Sequence, residues 1–351
     1  MATEDEPAEA AQQLGSLSLG EPAERKDDDS DNKPTTKNEA PTKFCSACGK
    51  KSDTLKQCTA CKCVWYCNKE CQNKHRKEHQ AECRRIKKEL DKRGGELDIG
   101  SELDVGPLGE APLRDECPIC MRPLPIHPGL QNYYACCGKT LCAACKHQCK
   151  CNNCAFCREP MADSDEVILA QLRKGVERKD PTAMFEMGNN YGFGTLTDAY
   201  GLLEPLDQAK GIDLLRQSGD LGCSMALCRL GQFHAGGNWG LEQNEEEGLK
   251  YFTKAAEAGD VRARDHIGRK EARKGDNIAA MRYWRLSAAG GYTPPIGDLI
   301  GCFEDGLLHH GDLAETLQVM YRSRAEMRSE ERDEYIRHLK RTGRYNYDLD
   351  M

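Results

Sequence analysis

Large aromatic residues are scarce in this 351-residue chain, which has only 7 phenylalanines and 3 tryptophans. A chain of this length is expected to hold two or three domains, and with so few aromatics they cannot all rest on large aromatic cores. Long apolar runs are missing too. Nothing approaches the roughly 20 apolar residues that span a bilayer, so no membrane partner is expected. The segment from Met1 to Ala10 is acidic and lacks the apolar centre of a secretory signal. The stretch Tyr347-Asp348-Leu349-Asp350-Met351 carries no retention or prenylation motif. These features predict an intracellular protein of the cytoplasm or nucleus. The net charge of −7 argues against nucleic acid as a partner. Gly192-Phe193-Gly194 does not continue into a nucleotide-binding glycine motif.

Cysteine, by contrast, is abundant: of 21 residues, 18 lie between Cys45 and Cys157, many in C-x-x-C pairs. Disulfides need an oxidising compartment, whereas this pairing is the spacing of zinc ligands. Zinc is therefore the expected staple.

Residues 1–42 are rich in Ala, Glu, Asp, Pro, Thr and Ser and cannot repay the entropy of ordering, which predicts a disordered acidic tail. Residues 43–93 hold the first cysteine cluster and are basic, with charge clusters at Lys74 to Lys77 and Arg84 to Lys88. Those charges mix with Glu78, Glu82 and Glu89 on a helical pattern, the mark of a solvated face. Residues 94–114 read as a flexible acidic linker. Residues 115–162 hold the second cluster, and residues 167–340 read as helical.

The first cluster runs Cys45-x2-Cys48, Cys58-x2-Cys61, Cys67-x3-Cys71 and His79-x3-Cys83, eight ligands for two tetrahedral zincs. The last four sit at i and i+4, so each pair can chelate from one helical face. From Cys45-Ser-Ala-Cys48 through Val64-Trp65-Tyr66-Cys67-Asn68-Lys69-Glu70-Cys71-Gln72 to Cys83, the stretch resembles the MYND zinc-finger family. The resemblance implies one zinc on Cys45, Cys48, Cys67 and Cys71 and a second on Cys58, Cys61, His79 and Cys83. It also implies binding of short peptide segments of partner proteins. His75 is read as a surface residue and Cys63 as a spare thiol. Some MYND proteins are lysine methyltransferases, but nothing downstream resembles their split catalytic domain.

The second cluster runs Cys117-Pro-Ile-Cys120, then Cys136-Cys137-Gly-Lys139-Thr-Leu-Cys142-Ala-Ala-Cys145, then Cys154-Ala-Phe-Cys157-Arg158. It resembles a RING domain in an all-cysteine variant. Lys139 stands where that family usually places a histidine ligand, and a protonated lysine cannot bind zinc. The resemblance implies cross-braced sites: Cys117, Cys120, Cys142 and Cys145 for one ion, and Cys136, Cys137, Cys154 and Cys157 for the other. Cys149 and Cys151 are surplus and could replace a member of the second set. The family recruits a ubiquitin-conjugating enzyme through an apolar residue between the first two cysteines, here Ile119. A basic residue after the last ligand, here Arg158, would form hydrogen bonds to the conjugating enzyme and ubiquitin together. An aromatic after the sixth ligand and a proline after the seventh are absent, replaced by Lys146-His147-Gln148 and Ala155.

The C-terminal half repeats itself. Ala183 to Gly188, Ala226 to Gly231 and Ala263 to Gly268 share small and apolar positions, each followed by a second helix at 209–222, 248–259 and 279–291. A degenerate fourth unit begins near Pro295. The repeat of about 37 residues predicts a helical solenoid and resembles Sel1-like repeats, relatives of the tetratricopeptide fold that bind partner proteins. Cys223, Cys228 and Cys302 are expected in its core.

The expected fold is thus mainly α: a TPR-like helical solenoid preceded by two small double-zinc modules and a disordered N-terminal tail, with about four zinc ions, two per module. The expected function is that of a zinc-binding protein-interaction protein: a RING-type ubiquitin ligase or ligase adaptor, or else a non-catalytic scaffold. With zinc organising one half and helix stacking the other, chelation is expected to unfold residues 43–160 and spare residues 167–340.

Overall fold

The computed structural model describes residues 43–343 except 53, 95–107, 109–113, 150–151, 199–200 and 204. The acidic tail, most of the linker, Cys151 and the residues from Tyr347 onward lie outside the described residues. The chain is mainly helical, and no helix among the described residues is long and apolar enough to cross a membrane.

The first module has two short antiparallel strands, β1 (Lys56–Gln57) and β2 (Trp65–Tyr66), and the long helix α1 (Lys69–Lys92). Asn68 starts α1 by accepting a hydrogen bond from the Cys71 amide at 2.9 Å, as an N-cap residue should. The second module has the antiparallel pair β3 (Gln131–Tyr134) and β4 (Lys139–Cys142), followed by the short helix α2 (Ala143–Gln148).

One turn recurs at four of the C-x-x-C pairs, whereas Cys142 and Cys145 sit at the start of α2. Isolated bridges Phe44↔Lys51, Glu116↔Pro123 and Asn153↔Pro160 close three loops of identical span. Within them the amides of Cys45, Cys117 and Cys154 donate to the carbonyls of Lys50, Arg122 and Glu159 at 3.0, 2.8 and 2.7 Å. The fifth residue of each loop, Gly49, Met121 or Arg158, is left-handed, with φ of 72°, 52° and 63°. The Cys58 loop puts Lys62 in the same place, with φ of 57°. Its closing bond runs one residue further, from the Cys58 amide to the Val64 carbonyl at 2.8 Å. Cys63 occupies that longer loop.

The helical half begins with α3 (Asp165–Glu177) and continues as pairs: α4 (Pro181–Phe193) with α5 (Gln208–Asp220), α6 (Ser224–Gly236) with α7 (Glu245–Glu257), and α8 (Val261–Lys274) with α9 (Asn277–Ala289). A two-stranded hairpin, β5 (Thr197–Asp198) and β6 (Gly201–Leu202), interrupts the first pair. Then follow α10 (Pro295–Glu304), α11 (His310–Met327) and α12 (Glu330–Arg341). Asp207, Asn244 and Asp276 cap the second helix of each pair through the amide three residues on. Glycine is required where helices pair closely: a Cβ on Gly188 would stand 3.0 Å from the Gly211 carbonyl oxygen, and one on Gly231 would stand 2.7 Å from the Phe252 ring. Cys228 is buried, while Cys223 and Cys302 are only half-buried.

The expectation of two separable halves meets a shared core. Val64, Tyr66, Ile86 and Leu90 of the first module belong to one buried cluster with Met281, Trp284, Leu299, Phe303, Leu317 and Tyr321 of the helical half. The second module packs similarly at the other end of the repeats, where Tyr133 and Ala135 join Leu169, Leu172, Ala183 and Met184. Its own core takes in Tyr335 of α12. The reason is physical: the first and last pairs of a solenoid have unpaired apolar faces, and the cysteine modules cover them.

Candidate metal centres

The four C-x-x-C turns converge in pairs with the other ligand candidates. Four groups have their donor atoms within 4.8 Å of one another: Cys45, Cys48, Cys67 and Cys71; Cys58, Cys61, His79 and Cys83; Cys117, Cys120, Cys142 and Cys145; Cys136, Cys137, Cys154 and Cys157. Within them the sulfurs of Cys48 and Cys67 lie 3.7 Å apart, Cys58 and Cys83 3.8 Å, Cys137 and Cys154 3.7 Å, and Cys120 and Cys142 4.0 Å. Four sulfurs about 2.3 Å from one zinc stand roughly 3.8 Å apart, whereas a disulfide closes to about 2.05 Å. The donor sets therefore fit zinc and exclude disulfides. In both modules the pairs interleave along the chain, and Cys149 belongs to none of the four groups.

Backbone amides prepare the thiolates. Burial opposes charge on Cys45, but the amides of Cys67, Ala47 and Cys48 outweigh it and bring the thiol down to about 7. Cys117, with the amides of Cys120, Cys142 and Ile119, and Cys154, with those of Cys157 and Phe156, also reach about 7 against burial. This is the same turn performing the same task three times.

His79 is the one nitrogen donor. Its Nε2 lies 3.2 Å from the Cys61 sulfur, while Nδ1 faces the Tyr321 hydroxyl at 3.5 Å and the Glu82 carboxylate at 3.7 Å. Tyr321 in turn donates to Glu82. A carboxylate behind a ligating imidazole fixes its orientation, and here α11 contributes the buried phenol beside it.

Two readings need correction or extension. His75 is not a surface residue: it is 2% exposed, bonded to the Tyr66 hydroxyl at 3.0 Å and set edge-on against Tyr321 at 4.1 Å. Burial lowers its ring to about 3, helped by the neighbouring charges of His79, Arg328 and Arg324. Cys63 stands outside the donor groups, fully buried, with its sulfur 3.2 Å from His310 Nε2 on α11.

The proposed docking residues lie on the turns of the second module. Ile119 is 40% exposed, Met121 67% and Phe156 36%, forming apolar loop tips. Arg158 is exposed as well.

The MYND finger family model matches residues 45–83. The Sel1 repeat model matches residues 181–223, 224–260 and 268–292. Among curated proteins, none matches the chain. Solved structures similar to it include a Sel1 repeat protein from Oxalobacter formigenes, with 25% identity, a TM-score of 0.33, and coverage of 38% of this chain and 96% of that one. Another is c5321, a protective antigen of uropathogenic Escherichia coli with an SLR fold, with 23% identity, a TM-score of 0.34, and coverage of 39% and 28%. The immunity protein Pa5087 from Pseudomonas aeruginosa has 17% identity, a TM-score of 0.27, and coverage of 55% and 85%.

Proposed function

We propose that this zinc-binding protein, built from a MYND finger and Sel1 repeats that serve protein–protein interaction, acts as a RING-type ubiquitin-ligase adaptor. The finger (43–93) and solenoid (167–340) select protein partners, and the module at 115–162 recruits a ubiquitin-conjugating enzyme. Four zinc ions, two per module, hold the fingers, each on one of the four donor groups. The observation that carries the ligase reading is the interleaving of Cys117, Cys120, Cys142 and Cys145 with Cys136, Cys137, Cys154 and Cys157 behind two exposed apolar turn tips. Ile119 and Phe156 offer the docking face. Arg158 follows the last ligand, and its guanidinium fork suits two carbonyl acceptors at once. A RING has no nucleophile of its own; it holds the loaded conjugating enzyme in a reactive posture.

The test separates folding from use. Arg158 is left-handed, with φ of 63°, a conformation glycine adopts freely. Arg158→Gly should therefore keep full zinc content and equal or higher thermal stability while slowing ubiquitin discharge from a panel of loaded conjugating enzymes. Wild-type chain carrying full zinc that stimulates no conjugating enzyme removes the ligase reading and leaves a three-module scaffold.

A further inference from the structure

Arg332 of α12 is 3% exposed, a depth that charged residues seldom reach. Its Nη1 donates to the Pro123 carbonyl at 2.7 Å and the Met327 carbonyl at 2.5 Å, and its Nη2 to the Cys120 sulfur at 3.2 Å. Nε has no partner, and no carboxylate among the described residues pairs with the group. A buried cation without a counter-charge is costly enough that native proteins pair it. With protonated thiols nearby, Arg332 would be such a cation.

A metal changes the balance. Four thiolates and one divalent ion carry a net charge of about −2, which makes the cluster itself the missing counter-ion. The nearest of its sulfurs already accepts a hydrogen bond from the guanidinium. Around this contact α12 lies along α2, with Tyr335 and His338 facing His147 at ring-centre distances of 5.1 and 5.0 Å. Ser329 caps α12 by accepting from the Arg332 amide at 3.2 Å, so the same turn that starts the helix delivers the guanidinium.

We propose that Arg332 is the counter-ion and positioning residue of the Cys117, Cys120, Cys142 and Cys145 centre, so that binding of a thiophilic divalent cation there and docking of α12 on α2 are one equilibrium. The proposal rests on the reading of those four cysteines as metal ligands. It goes beyond that reading by assigning to the same centre a residue 212 positions beyond Cys120. By linkage, metal in this site tightens α12, and a docked α12 slows metal loss.

The experiment uses the full-length chain loaded with cadmium-113, whose resonance reports the ligand field of each site. Arg332→Met removes the charge and all three donors at similar length. The expected result is a shift of one all-sulfur resonance with the other three sites unmoved. Chelator competition should show one metal released about tenfold to a hundredfold faster, the range for losing an outer hydrogen bond to a ligand. Arg332→Lys retains charge but cannot span the three acceptors, and should release metal at an intermediate rate; it is read in place of the Met variant if that one fails to fold. Hydrogen exchange should show residues 330–341 opening in step with that single release phase. Unchanged resonances and release rates in a variant whose α12 has undocked would overturn the proposal and leave Arg332 a purely structural contact. Failure of Cys117→Ser to lower metal content would instead sink the ligand reading beneath it.

Discussion

Ile86 sits on the α1 face turned from solvent, fully buried, in the cluster that also holds Leu299, Phe303 and Leu317. Cutting it to alanine removes apolar contacts on both sides of the finger–solenoid boundary, at a cost of about 3 kcal/mol, within the range for buried large-to-small changes. The boundary is further tied by Arg85, which bonds Glu304 through two nitrogens at 3.1 and 2.7 Å. Arg93 lies over the Phe303 ring at 4.8 Å and donates to its carbonyl. If the cluster is one cooperative unit, the loss is felt in α10 and α11 as well as α1. Native-state hydrogen exchange should then rise about a hundredfold in residues 295–327 together with 69–92, since each 1.4 kcal/mol is a factor of ten. The first two repeats have cores of their own, around Phe185 and Leu215 and around Leu227 and Phe252, and should change little. An increase confined to residues 69–92 would refute the shared core and restore two independently folding halves.

Two further outcomes follow from the turns. Lys62 is left-handed with φ of 57°, and its bonds are made by the backbone, the amide donating to the Cys58 carbonyl at 3.0 Å and the carbonyl accepting from Gln57. Lys62→Gly should therefore raise finger stability by roughly 1 kcal/mol, read as a higher denaturant midpoint at unchanged slope and zinc content. The second concerns acid. Cys45, Cys117 and Cys154 fall from 9.0 to about 7 in the fold. Because the folded value is the lower one, their contribution to stability is full above pH 9 and is lost as pH falls through 7. The metal-free chain should weaken over that interval, with a first thiolate absorbance step near 7, ahead of neighbours such as Cys67 and Cys71 that are pushed up; absence of any step below 9 would show the amides do not act.

What was legible in the sequence is what is encoded locally. Each C-x-x-C pair and the His79-x3-Cys83 pair have their spacing written within a single turn, and the structure brings those residues into four compact groups. The repeat was legible for the same reason: Gly188, Gly231 and Gly268 recur because helix pairs approach there, while the caps Asp207, Asn244 and Asp276, which start the second helices, emerged only with the structure. The interleaving of ligands was not local, and only family resemblance pointed to it. His75 was misread because what buries it, Tyr321, lies in α11. Composition near His75 is basic and polar, so a sequence window predicts solvent. The partner of Cys63, His310, is equally remote.

The remote contacts share one origin, and that origin explains why they escaped a repeat-based reading. The helix pairs that repeat obey a rule visible in the sequence, but α11, at 18 residues, is longer than the 13-residue first and second helices of the leading repeats. Its length lets one helix reach the finger through His310 and Tyr321, while the chain just beyond it reaches both modules. Arg328 pairs with Glu78 of the finger at 2.7 Å, and Arg332, four residues later in the first turn of α12, bonds Cys120 of the second module. A solenoid must cover its terminal faces to stay soluble. Here the first repeats are covered by Tyr133 and Ala135 and the last by Val64, Ile86 and Leu90. The cysteine modules therefore serve the repeats as caps, and the C-terminal helices return to hold the caps in place. On this arrangement zinc stabilises more of the chain than the segments that bind it, because each finger it folds covers an apolar face that the helices cannot cover themselves.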